Sequence, residues 1–386
     1  MIVTKLFKDF FDSEKAGGFT LIICTILSLI LANSSFGDEY HHFWQTPFAG
    51  QSIEHWINDG LMTIFFLLIG LELEREVYQG ELSNFKDALL PIFAALGGMF
   101  IPAALFLYFN FGTVTQSGAG IPMATDIAFA LGILSLLGNK VPTSLKVFLT
   151  ALAVIDDLGA IMIIAIFYTK TLLWTPLFIA LSIFALLLIL NRLKVRNLIP
   201  YLLGGIAMWY FMLHSGVHAT ITGVMLAFAI PFGNGDEKST SYILQHFLHK
   251  PVAFIILPIF AIANTAIHFS GNILQTLSEK YSIGIATGLI IGKPLGIFLL
   301  SFIGVKMGLC KLPSDLNWKS IIGVGFLGGI GFTMSIFITL LAFDHETTIN
   351  NAKLVILLSS LVTACIGYLM LKSVLKNTEV LESTRN

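Results

Sequence analysis

Charge is scarce in this chain. Only 12% of its residues are Asp, Glu, Lys or Arg, against 56% hydrophobic, which is about half the charged share of an ordinary soluble domain. Such a chain can bury a large core, but it keeps no polar surface to dissolve it. A basic excess is also missing. The 22 Lys and Arg against 23 Asp and Glu leave a net charge of −1, which excludes the electrostatic footprint of a nucleic-acid binder. Cysteine is rare: Cys24, Cys310 and Cys365 lie far apart in or beside apolar stretches. They offer neither a disulfide framework nor a metal spacing, and read as small apolar filler. There is no soluble domain and no long linker, so no soluble protein partner is implied and membrane lipid is the expected surrounding.

Apolar sequence fills the space that charge leaves. About twelve runs reach spanning or near-spanning length, near 17–32, 57–73, 88–109, 119–138, 144–168, 172–190, 199–213, 216–231, 251–269, 282–304, 321–343 and 354–371. The 199–231 stretch is split in two at His214-Ser215-Gly216. The charged start (Lys5, Lys8, Lys15) followed by an apolar run has the layout of a signal peptide. With Met1 in place, an uncleaved first span is expected instead, and residues 1–15 are expected as an amphipathic segment on the membrane surface.

Lysine and arginine test the count. With the N-terminus in the cytoplasm and sides alternating, eighteen of the 22 fall inside, from Lys5 to Arg385, and only Lys170, Lys280 and Lys353 fall outside. The last, Lys293, lies within a span. That bias fits the positive-inside rule for twelve spans with both termini cytoplasmic. The longest external segment, 33–56, carries no Lys or Arg. Alternation from His41 to Ile53 suggests a small β-hairpin whose edge, within 40–55, serves a homodimer contact.

Two spans look interrupted. The fourth contains Gly118-Ala-Gly-Ile-Pro-Met-Ala-Thr-Asp126. The eleventh contains Gly323, Gly325, Gly328, Gly329 and Gly331, followed by Thr333. Unwound backbone at membrane depth is tolerated only when buried in protein or lining a cavity. Each interrupted span sits second in a group of three, and the two run in opposite directions. This predicts inverted repeats, about 88–168 and 282–371, with a site near the midplane. The expected fold is an all-α integral membrane protein, a single transmembrane unit over 1–386. It would have twelve helices over 17–371, crossing broken helices at spans four and eleven, and a cytoplasmic tail at 372–386.

The ionisable residues inside spans are few: Asp126, Asp156, Asp157 and Lys293. An ionised side chain at a bilayer centre costs about 2.5–3.5 kcal/mol even on the mildest scale, so the adjacent pair Asp156-Asp157 reads as an ion or proton site. Neighbours on a helix point about 100° apart, so the two edge one cavity without sharing a face. A buried lysine needs a carboxylate partner, and Asp156 or Asp157 is the candidate for Lys293. Carboxylate oxygens suit a hard cation such as Na⁺. Protons compete for the same oxygens, so a site exposed to each side in turn exchanges one for the other.

Several longer motifs then stand in order: ATDIAFALGILSLLG (124–138), ALAVIDDLGAI (151–161), GVHATITGV (216–224), IGKPLGI (291–297) and GGIGFTMSIFI (328–338). Together they closely resemble the NhaA family of bacterial sodium/proton antiporters, over nearly the whole chain. The resemblance implies electrogenic exchange of internal Na⁺ or Li⁺ for external H⁺ across the bacterial inner membrane. The protein would serve sodium and pH homeostasis, would not be an enzyme, and would need no cofactor. Asp157 would be the main Na⁺ ligand and proton carrier. Asp156 would be a second ligand that pairs with Lys293, and Thr125 and Asp126 would sit at the helix crossing with Gly329, Gly331 and Thr333.

The resemblance also implies activation at alkaline pH through a cytoplasmic cluster of Glu72, Arg75, Glu76, His246 and His249. This chain departs from the pattern at Gln245, where an acid is expected, and at Glu74, where a base is common. Asp59 is expected as structural near the external face, and His218 as a supporting residue beside span eight. Three rivals fit less well. Gly233-Asn-Gly-Asp236 matches the GxGD of intramembrane aspartyl proteases but sits in a polar loop. A passive channel would need a repeated filter. A sodium-coupled symporter would need a larger organic pocket.

Overall fold

The computed structural model of the chain describes residues 5–169, 172–268 and 273–383. Residues 1–4 of the expected surface segment, and Lys170 and Arg385 of the charge count, lie outside them. The described residues are almost wholly helical, with one two-stranded sheet. Among them, eight helices are long and apolar enough to cross a membrane, and ten if each of two bent pairs is one span. The bent pairs are Ala16–Ala32 with Gly37–Gln45, turned by 114°, and Trp318–Gly328 with Phe332–Ala342, turned by 48°.

All twelve apolar runs fall on helix, but two helices are short: Leu198–Leu213 with 16 residues and Ile221–Ala229 with 9. A span of straight helix needs about 20. The second is short because residues 215–220 form a turn. Gly216 takes a left-handed φ of 85°, and the Ser215 hydroxyl accepts from the Val217 amide at 3.2 Å.

Three further boundaries differ from the sequence reading. The first helix, Lys5–Ala32, runs from the N-terminal segment into the first span without a break. In the external segment, Gly37–Gln45 is helical, and only Pro47–Phe48 and Gln51–Ser52 pair as an antiparallel hairpin. That helix is pinned by Tyr40, whose hydroxyl lies 2.9 Å from the Ser28 hydroxyl and donates to the Ile262 carbonyl at 3.1 Å. The last helix, Glu346–Ser383, continues through most of the expected tail.

The chain divides into two compact units. One holds residues 20–83 and 161–268 with the first residues of the chain; the other holds 14–19, 84–160 and 269–386. Both three-span groups paired in the sequence belong to the second unit, save the end of Thr143–Phe167, which passes into the first. Each group is a continuous helix, a broken one and another continuous one. Helices Phe85–Asn110 and Lys293–Lys306 of this unit meet backbone to backbone. A Cβ on Gly97 would lie 2.0 Å from the Gly296 carbonyl oxygen, and a Cβ on Gly296 equally close to that of Gly97.

Three π-helical turns interrupt otherwise α-helical spans: Trp56–Leu61, Val252–Ile256 and Gly288–Gly292. The last two are followed by Pro258 and Pro294, whose missing N–H groups leave carbonyls within those turns without their usual bond. Such turns recur at functional sites; here they hold Asp59, follow His249 and precede Lys293.

Candidate functional site

The second unit assembles its centre from the two broken helices. Residues Gln116–Met123 coil as a tight 3₁₀ helix, Ala124 to Asp126 are extended, and Ile127–Ser135 is α-helical. In the other broken span, Trp318–Gly328 ends at Gly329 and the helix restarts at Phe332. The two breaks are hydrogen-bonded together. The Asp126 amide donates to the Ile330 carbonyl at 2.7 Å, and the Thr125 hydroxyl to the Gly328 carbonyl at 2.8 Å. Gly329 and Gly331 have ordinary negative φ, so space rather than conformation requires them. A Cβ on Gly329 would lie 2.6 Å from the Leu289 carbonyl oxygen, and one on Gly331 2.1 Å from the Ser335 hydroxyl.

Asp126 closes both restarted helices. Its Oδ1 accepts from the Phe129 amide at 2.9 Å, and its Oδ2 accepts from the Thr333 amide at 3.1 Å and the Thr333 hydroxyl at 2.5 Å. One carboxylate therefore caps two helix N-termini, where backbone N–H groups lack partners and the helix dipoles favour negative charge. Lys293 does the converse. Its Nζ, fully buried, donates to the Met123 carbonyl at the end of the 3₁₀ segment and to Asp156 Oδ2.

The paired aspartates on helix Thr143–Phe167 divide. Asp156 Oδ2 accepts from Lys293 and lies 2.7 Å from the Thr125 hydroxyl, whose one proton it shares with the Gly328 carbonyl. Asp157 is 0% exposed, and neither of its carboxylate oxygens has a hydrogen-bond partner among the described residues. Thr125, Asp126, Asp156, Lys293, Gly329, Gly331 and Thr333 are thus brought into one connected network, with Asp157 beside it on the chain and outside its bonding.

The first unit brings a second group together. Glu72 and His249 are buried, with His249 Nδ1 3.5 Å from Glu72 Oε1. Arg75 lies within electrostatic reach of Glu72, Glu76 and Tyr242. His246 is exposed and stacks on Tyr242, with ring centroids 6.3 Å apart. Both histidines stand on helix Thr240–Pro251. Gln245 and Glu74, the two departures from the family pattern, are buried as well.

Elsewhere in this unit Asp59 Oδ2 lies 3.1 Å from His55 Nε2, and the Asp59 carbonyl accepts from Trp209 Nε1 at 3.3 Å. His218 Nε2 is 2.9 Å from the Tyr168 carbonyl. Gly233-Asn-Gly-Asp236 is a turn, with left-handed Gly233 and Gly235 and an exposed Asp236.

Several participants had no sequence signal. The carbonyls of Met123, Gly328 and Ile330 are backbone atoms, which any residue supplies. Ser360, whose hydroxyl accepts from the Phe332 amide at 3.2 Å, could have been noticed as a small polar residue in an apolar span. His55 could have been paired with Asp59 from its i, i+4 spacing.

A many-helix membrane chain whose broken helices end around a buried carboxylate network has the architecture of a secondary transporter. Comparison with known proteins agrees. The model of the Na⁺/H⁺ antiporter 1 family matches residues 8–371, and the chain belongs to that family. It is 76% identical over 378 residues to the Na⁺/H⁺ antiporter NhaA of Flavobacterium psychrophilum, covering 98% of each chain. It is 65% identical to that of Cytophaga hutchinsonii, over 97% of each chain, and 61% identical to that of Dechloromonas aromatica, over 96% of each.

Proposed function

We infer that this chain exchanges Na⁺ for H⁺ across a bacterial inner membrane by alternating access, with Asp157 as the shared ligand. The observation that carries the reading is the Asp157 carboxylate, fully buried with no hydrogen-bond partner among the described residues. Left ionised and unpaired at such a depth it costs several kcal/mol. A proton or a cation removes that cost, and only one of them fits at a time. Asp156, within the same turn, is already engaged by Thr125 and Lys293. It gives the cation a second carboxylate when Lys293 releases it. Among the described residues no three His, Cys, Asp or Glu side chains converge as a metal group, so hydroxyls, carbonyls and water complete the ion's shell. That weak, open ligation suits cargo that must leave again.

Exchange of more protons inward than sodium outward moves net charge, and each charge gains about 2.3 kcal/mol per 100 mV of membrane potential. The lysine bias supports twelve spans with both termini in the cytoplasm; a fluorescent protein fused to the C-terminus would then fold and fluoresce, and a dark fusion with active protein contradicts it.

The test of the site is proton release. Na⁺ added to the purified protein displaces protons, because its ligands must be deprotonated. Calorimetry in buffers of different ionisation enthalpy measures the number released. Below the pH at which the site loses its proton, apparent Na⁺ affinity falls about tenfold per pH unit for one displaced proton; above it, affinity is flat. Asp157→Asn is expected to lose both binding and release. Binding without proton release, or unchanged binding by the variant, removes Asp157 from the role.

A further inference from the structure

Besides three oxygens of its paired aspartates, helix Thr143–Phe167 carries one more without a partner among the described residues. Thr150 is 6% exposed, and its hydroxyl has no hydrogen-bond partner among the described residues. A buried helical threonine ordinarily donates to the carbonyl four residues back. Thr25 and Thr339, buried within helices, do so at 2.8 Å, and Thr63, Thr169, Thr265 and Thr287, half-buried or at helix ends, make the same bond at 2.5 to 2.7 Å; Thr222, in the first turn of Ile221–Ala229, shares the unpartnered state of Thr150. Thr150 lies well inside its helix, with the Lys146 carbonyl available at the same spacing, and does not use it. An unsatisfied buried hydroxyl costs about 1–3 kcal/mol, so this one calls for another partner.

Its place on the helix says which. Seven residues separate Thr150 from Asp157, which puts both on one face, about 20° apart and about 10 Å along the axis. Between them that face holds only Ala153 and Val154, both buried. Asp156 points elsewhere, into its bonds with Thr125 and Lys293. Thr150 and Asp157, the two side chains of this helix whose oxygens all lack a hydrogen-bond partner among the described residues, are therefore aligned in file, while Asp156 keeps one unpartnered oxygen, Oδ1, off that face. Thr150 is the one nearer the Lys140 and Lys146 end, which the charge bias assigns to the cytoplasm.

We propose that Thr150 is a second oxygen station for the transported ion, a ligand that Na⁺ or Li⁺ takes in exchange for water as it moves between the cytoplasm and Asp157. A hydroxyl suits a hard monovalent cation that sheds its hydration stepwise, since it supplies an oxygen without a charge to trap the ion. The proposal rests on the reading of the chain as a Na⁺/H⁺ exchanger. As a ligand, Thr150 acts on the cation before Asp157 does and takes no proton itself.

The experiment compares wild type, Thr150→Val and Thr150→Ser in everted membrane vesicles, reading Na⁺-driven proton movement with a pH dye. Val keeps the branched shape and loses the oxygen. It is expected to raise the KM for Na⁺ about tenfold, the loss of one neutral polar ligand, while the maximal rate and the pH profile at saturating Na⁺ stay as in wild type. Ser, which keeps the oxygen, retains the wild-type KM. Thr150→Ala removes the hydroxyl without bulk and replaces Val if Val does not accumulate in the membrane. An unchanged KM in Val or Ala overturns the proposal, as does an equal loss in Val and Ser, which would mean the methyl group matters and the oxygen does not. Wild type without any exchange overturns the transport reading itself, and the wild-type trace alone reveals it.

Discussion

Asp156 and Asp157 are neighbours in the chain and opposites in their bonding. One is held by a lysine and a threonine, the other by nothing among the described residues. Their cost in an apolar run made the pair visible in the sequence. Their division was not visible, because Thr125 and Lys293 lie 31 and 137 residues away and the Met123 carbonyl that helps orient Lys293 leaves no trace in residue type. The second cluster was legible only through family likeness, which grouped Glu72, Arg75 and Glu76 with His246 and His249. Gln245 gives the test at this scale. It stands one turn before His249 on the same buried face. A carboxylate there stabilises protonated His249, so that histidine keeps its proton to higher pH. If its deprotonation accompanies activation, Gln245→Glu shifts the pH–activity curve of exchange toward alkaline pH with the maximal rate preserved. An unmoved curve removes position 245 from pH control.

At the scale of elements, the two breaks are held by what their ends lack. Helix starts offer unpaired N–H groups and helix ends unpaired carbonyls. Asp126 and Lys293 supply the matching charges, and the Asp126–Ile330 bond ties one break to the other. Each cap contributes about 0.5–2 kcal/mol. Asp126→Ala, which uncaps two helices, is therefore expected to lower stability by about 1–4 kcal/mol, and Asp126→Asn, which keeps one acceptor oxygen, by less. Thermal unfolding of the purified variants measures it, and an Ala variant as stable as wild type would show that the caps do not hold the crossing.

The glycine clusters announced both breaks in the sequence but blurred their extent. Gly118 and Gly120 lie inside the coiled segment before the fourth-span break. Gly323 and Gly325 lie inside intact helix, where a Cβ would meet Leu371 and Pro294. Glycine serves both unwinding and close approach, and its presence alone does not say which.

Over the whole molecule, each apolar run met a helix among the described residues while the short helix Gly37–Gln45 was missed, and counting spans needed the lysine bias as well. Ten candidates satisfy length and composition, and the two short helices fall below those limits. The run read at 199–213 matches Leu198–Leu213; the length of Ile221–Ala229 was hidden, because the split at His214-Ser215-Gly216 marked the start of the turn and not its extent to residue 220. The small number of charged residues, the broken helices and the unpartnered carboxylate together amount to a machine for trading one small cation against another. The most direct measurement is exchange by the purified protein in sealed proteoliposomes. A Na⁺ gradient imposed across the membrane is predicted to drive protons the opposite way, faster when a potassium/valinomycin shunt dissipates the charge it moves, and Asp157→Asn is predicted to abolish the flux. Proton movement that ignores the Na⁺ gradient, or that survives in the variant, would contradict the account.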